Sequence, residues 1–155
     1  MTAKIESVQI KWEYDEYPDV SWLDCTAEDH YGKEGSNWDY VPKEVEARVI
    51  EEYGSLWEAS KAYAWANQRR LKDFYAGKWH MQGCVARVTV SYPQGNSRRF
   101  EHFTSGGLWG IESDSDEEYR VEIEMDQLGD LKRHLEQLGV DVSDFWLKYL
   151  GEPDG

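Results

Sequence analysis

The chain has 155 residues, with 31 Asp and Glu against 17 Lys and Arg and a formal net charge of −14. Its length predicts one domain spanning residues 1–155, and 8 Trp and 10 Tyr exclude a disordered acidic tail. So large a negative excess argues against direct nucleic-acid binding and against anionic membranes, and it favours basic partners.

The charge is uneven: residues 1–60 carry −10, residues 61–103 carry +6 and residues 104–155 carry −10. Cys25 and Cys84 are the only cysteines, too few for a secreted disulfide framework, and are expected as free thiols. "MTAKIESVQI" lacks the apolar core of a signal peptide, so a cytoplasmic location is expected.

In chain order, Val8, Ile10, Trp12 and Tyr14 alternate with polar residues, which predicts a half-buried strand. The stretch from Asp15 to Tyr40 has no period and predicts a long connection anchored by Trp22, Leu23 and Trp38. Pro42 suits a helix start, with Val45, Val49 and Tyr53 on one side before Gly54. Ser55 and Glu58 form a capping box for a second helix, whose stripe is Leu56, Ala59, Tyr63, Ala66 and Leu71 or Phe74, ending near Gly77.

From Trp79 the period becomes two. Cys84, Ala86, Val88, Val90 and Tyr92 share a strand face, and "PQGNS" leads into a return strand, giving a hairpin with a longer loop. Ser115 and Glu118 form another capping box. Val121, Met125, Leu128, Leu131, Leu135 and Leu138 then predict a long amphipathic helix closed at Gly139, in preference to a strand over Tyr119–Met125. "SDFWLKYLG" predicts a short terminal helix packing Phe145, Trp146 and Leu150. These elements predict an α+β fold, in which an antiparallel sheet with a β-hairpin packs in two layers against two or three helices, among them those starting at Ser55 and Ser115.

The unusual stretch is "TSGGLWGIESDSDEE". Carboxylates at a helix start complement the dipole, but five acids in seven positions exceed that need. An acidic ridge beside Trp109 therefore predicts a partner-binding surface made by Trp109, Glu112, Asp114, Asp116, Glu117 and Glu118, with Glu28, Asp29 and Glu34 as a second group. A calcium loop begun at Glu112 fails, because Glu117 and Ile123 stand where Gly and Glu are required. His80, Cys84 and His102 fit no zinc spacing, and no nucleophile elbow, phosphate loop or dinucleotide fingerprint is present. No metal, no cofactor and no enzymatic activity are expected. The basic, aromatic middle segment is expected to pair with the acidic flanks rather than with a polyanion.

"YPDVSWLD", "GKWHMQGCVARVTV" and "GLWGIESDSDEEY" with its leucine helix resemble a group of small acidic proteins of phages and mobile elements. That resemblance implies an inhibitor of host defence, anti-CRISPR or anti-restriction, which acts as a DNA mimic on a basic host protein or nucleoprotein complex. An immunity-type protein that neutralises a toxic nuclease is the alternative, and a small metal-dependent enzyme a more distant one.

Overall fold

The computed structural model describes residues 3–27, 30 and 41–151. It has an α+β fold in which the chain groups into two compact units, residues 1–18 with 80–155, and residues 19–79.

The first unit holds a four-stranded antiparallel sheet. Its strands are β1 (Lys4–Tyr14), β2 (Met81–Gln94), β3 (Ser97–Thr104) and β4 (Leu108–Glu112). The long β2 is central, with β1 on one edge, while β3 and β4 share the other edge as two lengths interrupted at Ser105–Gly107. Ser105 bridges the gap, since its backbone N–H donates to Ala86 O and its Oγ accepts from Ala86 N, both at 2.9 Å.

The alternation of β1 puts Val8 opposite Val88 and Ile10 opposite Ala86, facing the core. A register shift between Ile5 and Ser7 brings Ile5 onto the same face as Val8. The hairpin loop is tighter than the longer one expected from the sequence. Gln94 pairs with Ser97, leaving only Gly95 and Asn96 in the turn. Gly95 has φ 59° while Asn96 keeps a negative φ, the sign pattern of a type II′ turn, whose twist suits paired strands.

Two helices of this unit, numbered after α1 (Lys43–Tyr53) and α2 (Leu56–Tyr75) of the second, lie on the sheet, α3 (Glu117–Gln137) against β2 and α4 (Phe145–Tyr149) against β1. Val88, Val90, Leu128, Leu131, Leu135 and Phe145 are fully buried between the layers. Each such side chain contributes about 1.5–3 kcal/mol of burial. The alternative of a strand over Tyr119–Met125 does not occur.

Three details of these helices correct the sequence expectation. The N-cap of α3 is Asp116, not Ser115: Asp116 Oδ1 accepts from Tyr119 N at 2.8 Å, while Ser115 Oγ donates back to Glu112 O. The buried stripe is Ile123, Gln127, Leu128, Leu131 and Leu135, whereas Val121, Met125 and Leu138 are exposed, because one four-residue ladder from Ile123 to Leu135 faces the sheet. In α4 only Phe145 is fully buried, and Leu150 remains 74% exposed. At its C-terminus α3 is closed by Gly139 as expected, with Val140 N donating to Leu135 O and Gly139 N to Glu136 O in a Schellman pattern.

The second unit contains a short 3-10 turn (Ser21–Leu23), α1 (Lys43–Tyr53) and α2 (Leu56–Tyr75). Val41, Val49, Leu56 and Ala59 form its core, with Val45, Tyr53 and Tyr63 packed around it. Ser55 caps α2 as expected, its side chain accepting from Glu58 N at 3.0 Å. The Glu58 carboxylate pairs with Lys61 instead of turning back. Ala64 is buried and Ala66 exposed, a rotation of the expected stripe. Leu23 anchors the connection as expected, Trp22 is 53% exposed, and Trp38 lies outside the described residues. No helix among the described residues is long and apolar enough to cross a membrane.

Candidate partner-binding surface

Trp109 is placed by the geometry of β4. Between the pairs Gln82–Ile111 and Cys84–Leu108, two residues on β4 oppose the single Gly83 on β2, so the strand carries a bulge. Gly110 in that bulge has φ 76°, a conformation that L side chains rarely adopt. The extra residue lets Ile111 point into the core while Trp109 lies across Gly83 on the opposite face. Its ring fills the space that a Cβ on Gly83 would take, which fixes one face of the indole against backbone and leaves the residue 46% exposed.

The exposed side of Trp109 opens onto a cleft of about 390 Å³ that it shares with Glu13, Tyr14, Asp15, Glu16 and Tyr17. This is the end of β1, where the chain hooks away from the sheet. Asp15 N donates to Met81 O at 3.0 Å, and Asp15 Oδ1 accepts from Tyr17 N at 3.0 Å, so a side chain closes the turn. Tyr14 leans on His80 with ring centroids 5.2 Å apart, and Tyr17 is 90% exposed. Three carboxylates and three accessible aromatic rings therefore meet in one concavity. Aromatic faces beside carboxylates attract cations twice over, through the ring quadrupole and through net charge.

The acidic run itself is distributed differently. Glu112 ends β4 opposite Met81, Asp114 is exposed in the following turn, Asp116 caps α3, and Glu117 and Glu118 occupy its first turn. Glu117 lines a second cleft of about 520 Å³ with Trp12, Ser115, Arg120, Val121 and Glu124. There the Arg120 guanidinium lies 4.4 Å from the centroid of the Trp12 ring, whose Nε1 donates to Glu124 Oε1 at 2.7 Å. Of the acidic run, Glu117 thus lines a different cleft from Trp109. Glu28, Asp29 and Glu34 lie outside the described residues.

Glu13, Tyr14, Asp15, Glu16 and Tyr17 were not singled out from the sequence, where Glu13 and Tyr14 belong to the first strand and Asp15–Tyr17 to the connection after it. The available signal was the dense alternation of acids and tyrosines across the end of the first strand.

Beneath the second cleft, Cys84 is fully buried, and its thiol is pushed up to about 11 by burial, with the Glu124 charge adding and Arg120 opposing. His102 hydrogen-bonds to Thr89 Oγ1 at 2.9 Å. Thr89 lies five residues from Cys84 on β2, so the pleat sends His102 and Cys84 to opposite faces. Among the described residues no group of three His, Cys, Asp or Glu side chains is placed to hold a metal ion.

Among the described residues, cations of the basic segment meet nearby carboxylates, Lys61 with Glu58 of the first acidic segment at 2.7 Å, Lys78 with Asp73 at 3.3 Å and Arg99 with Glu101 at 3.0 Å. Other cations of the segment lie over rings, Arg69 on Trp65 and Arg70 on Trp79. The chain matches no protein-family model, and neither curated proteins nor solved structures include a match to it.

Proposed function

We propose that this chain is a binding protein that blocks a basic, nucleic-acid-handling surface of a host-defence nucleoprotein, as a phage-type anti-CRISPR or anti-restriction inhibitor does. The observation that carries this reading is the cleft of Trp109, Tyr14 and Tyr17 ringed by Glu13, Asp15 and Glu16. It belongs to a unit with 19 acidic against 9 basic side chains, a net of −10. A groove built to release counterions onto a polyanion accepts a fixed acidic surface for the same reason, and a rigid exposed indole supplies a packed anchor at low entropic cost. The acidic start of α3 adds to the same negative field.

The test is a gel shift in which purified CRISPR effector and restriction complexes bind their DNA in the presence of this protein. The expected result is that the wild type releases DNA from at least one complex, that added salt weakens the effect, and that Glu13→Lys with Glu16→Lys or Trp109→Ala relieves it. If every complex retains its DNA at saturating protein, the inhibitor reading is discarded.

A further inference from the structure

The second unit holds a cysteine whose surroundings differ from those of Cys84. Cys25 Sγ lies 3.5 Å from His30 Nε2, and Asn67 Nδ2 donates to the same sulfur at 3.3 Å. Helix α2 organises both contacts. Asn67 projects from it directly, and Tyr63, one turn earlier, meets the His30 ring edge-on with centroids 5.5 Å apart. Gln68 Nε2, next along the helix, donates to Cys25 O at 3.0 Å and to Asp24 Oδ1 at 3.2 Å, which ties the segment carrying the cysteine to the helix. Cys25, His30 and Asn67 are each partly exposed.

The sulfur has one S–H to give and is a weak acceptor. Asn67 donates to it, and His30 Nε2 lies within reach of its S–H in the tautomer that leaves this nitrogen unprotonated. Transfer of that proton leaves a thiolate held by two N–H donors, one from the imidazolium and one from the amide.

We propose that Cys25 is a nucleophilic thiol, with His30 as its base, that undergoes exchange with low-molecular-weight disulfides. His30 Nε2 takes the Cys25 proton, and the thiolate attacks one sulfur of the disulfide, forming a new S–S bond. The original S–S bond breaks, and its electron pair leaves on the second sulfur, which takes the proton back from His30. The products are a mixed disulfide on Cys25 and one small thiol, with the added disulfide as the oxidant. This inference is independent of the acidic cleft.

The experiment uses glutathione disulfide at neutral pH, with the modified cysteine identified by peptide mass. Cys25 in the folded wild type is expected to react about tenfold or more faster than in the same chain unfolded in urea, since burial alone only slows a thiol and a base is what speeds it. Buried Cys84 is expected to stay unmodified in the folded protein. His30→Phe keeps a ring against Tyr63 without a proton acceptor and is expected to remove the acceleration, while Asn67→Leu reduces it. If folded Cys25 reacts no faster than the unfolded chain, or if folded His30→Phe reacts as fast as the wild type, the proposal is overturned. Should His30→Phe fail to fold, the wild-type comparison decides alone.

Discussion

The indole of Trp109 rests on the backbone of Gly83, occupying the volume that any side chain at residue 83 would need. A glycine within a central strand ordinarily weakens it, and here its lack of a side chain is what seats the exposed tryptophan. Gly83→Ala is therefore expected to lift the ring from the sheet and to cost about 1–3 kcal/mol in overpacking. Urea denaturation checks the cost, and the shift of the Trp109 indole N–H resonance checks the displacement. An unmoved indole resonance in the variant would contradict this packing.

Asp116 holds the start of α3 through its hydrogen bond to Tyr119 N. Asp116→Ala is expected to lose about 0.5–2 kcal/mol, whereas Asp116→Asn, which keeps an oxygen acceptor, loses much less. Chemical denaturation of the two variants separates a cap from a purely electrostatic contribution. Equal losses would assign the effect to charge alone.

The sequence patterns that survived into the structure are those set by local rules. The alternation of Val8, Ile10 and Trp12, the Ser55 cap and the Gly139 helix end all depend on neighbours within a few residues. What was not legible depends on register. The bulge at Gly110 decides which way Trp109 faces, and it arises from pairing with a strand that starts 29 residues earlier, at Met81. That is why the reading joined Trp109 to the acids that follow it in sequence, while the fold joins it to Glu13, Asp15 and Glu16. The stripe of α3 shows the same limit. Val121 and Met125 satisfy a helical period as well as Ile123 and Gln127 do, and only the sheet selects the latter pair.

That selection makes a paired prediction. Leu131 is fully buried in the core of the first unit, and Met125 is 42% exposed. Leu131→Ala is expected to destabilise by about 2–5 kcal/mol through lost burial and the cavity left behind. Met125→Ala, on the outer side of the same helix, is expected to change stability by about 0.5 kcal/mol or less. Urea midpoints measured side by side test the orientation of α3, and comparable losses would mean that the helix is rotated from the position described.

Burial of Cys84 gives the first unit a defined alkaline weakness. Its thiol is pushed up to about 11 in the folded protein, chiefly by burial, against an ordinary value of 9.0. Between those two values the unfolded chain has released the proton and the folded chain still holds it. The folded state then binds more protons than the unfolded one, so stability falls as pH rises. The contribution is fully present below about pH 9 and is lost progressively toward about pH 11. Tyr149 is raised in the same direction, by burial first and then by the charges of Glu124 and Cys84, which reinforces the trend. Cys84→Ala removes one of the two groups while leaving an apolar side chain in place. Its urea midpoint is expected to start lower at about pH 8, from the smaller side chain, but to decline less steeply toward about pH 10.5 than that of the wild type. Parallel declines in the two proteins would show that the buried thiol does not contribute to the alkaline loss.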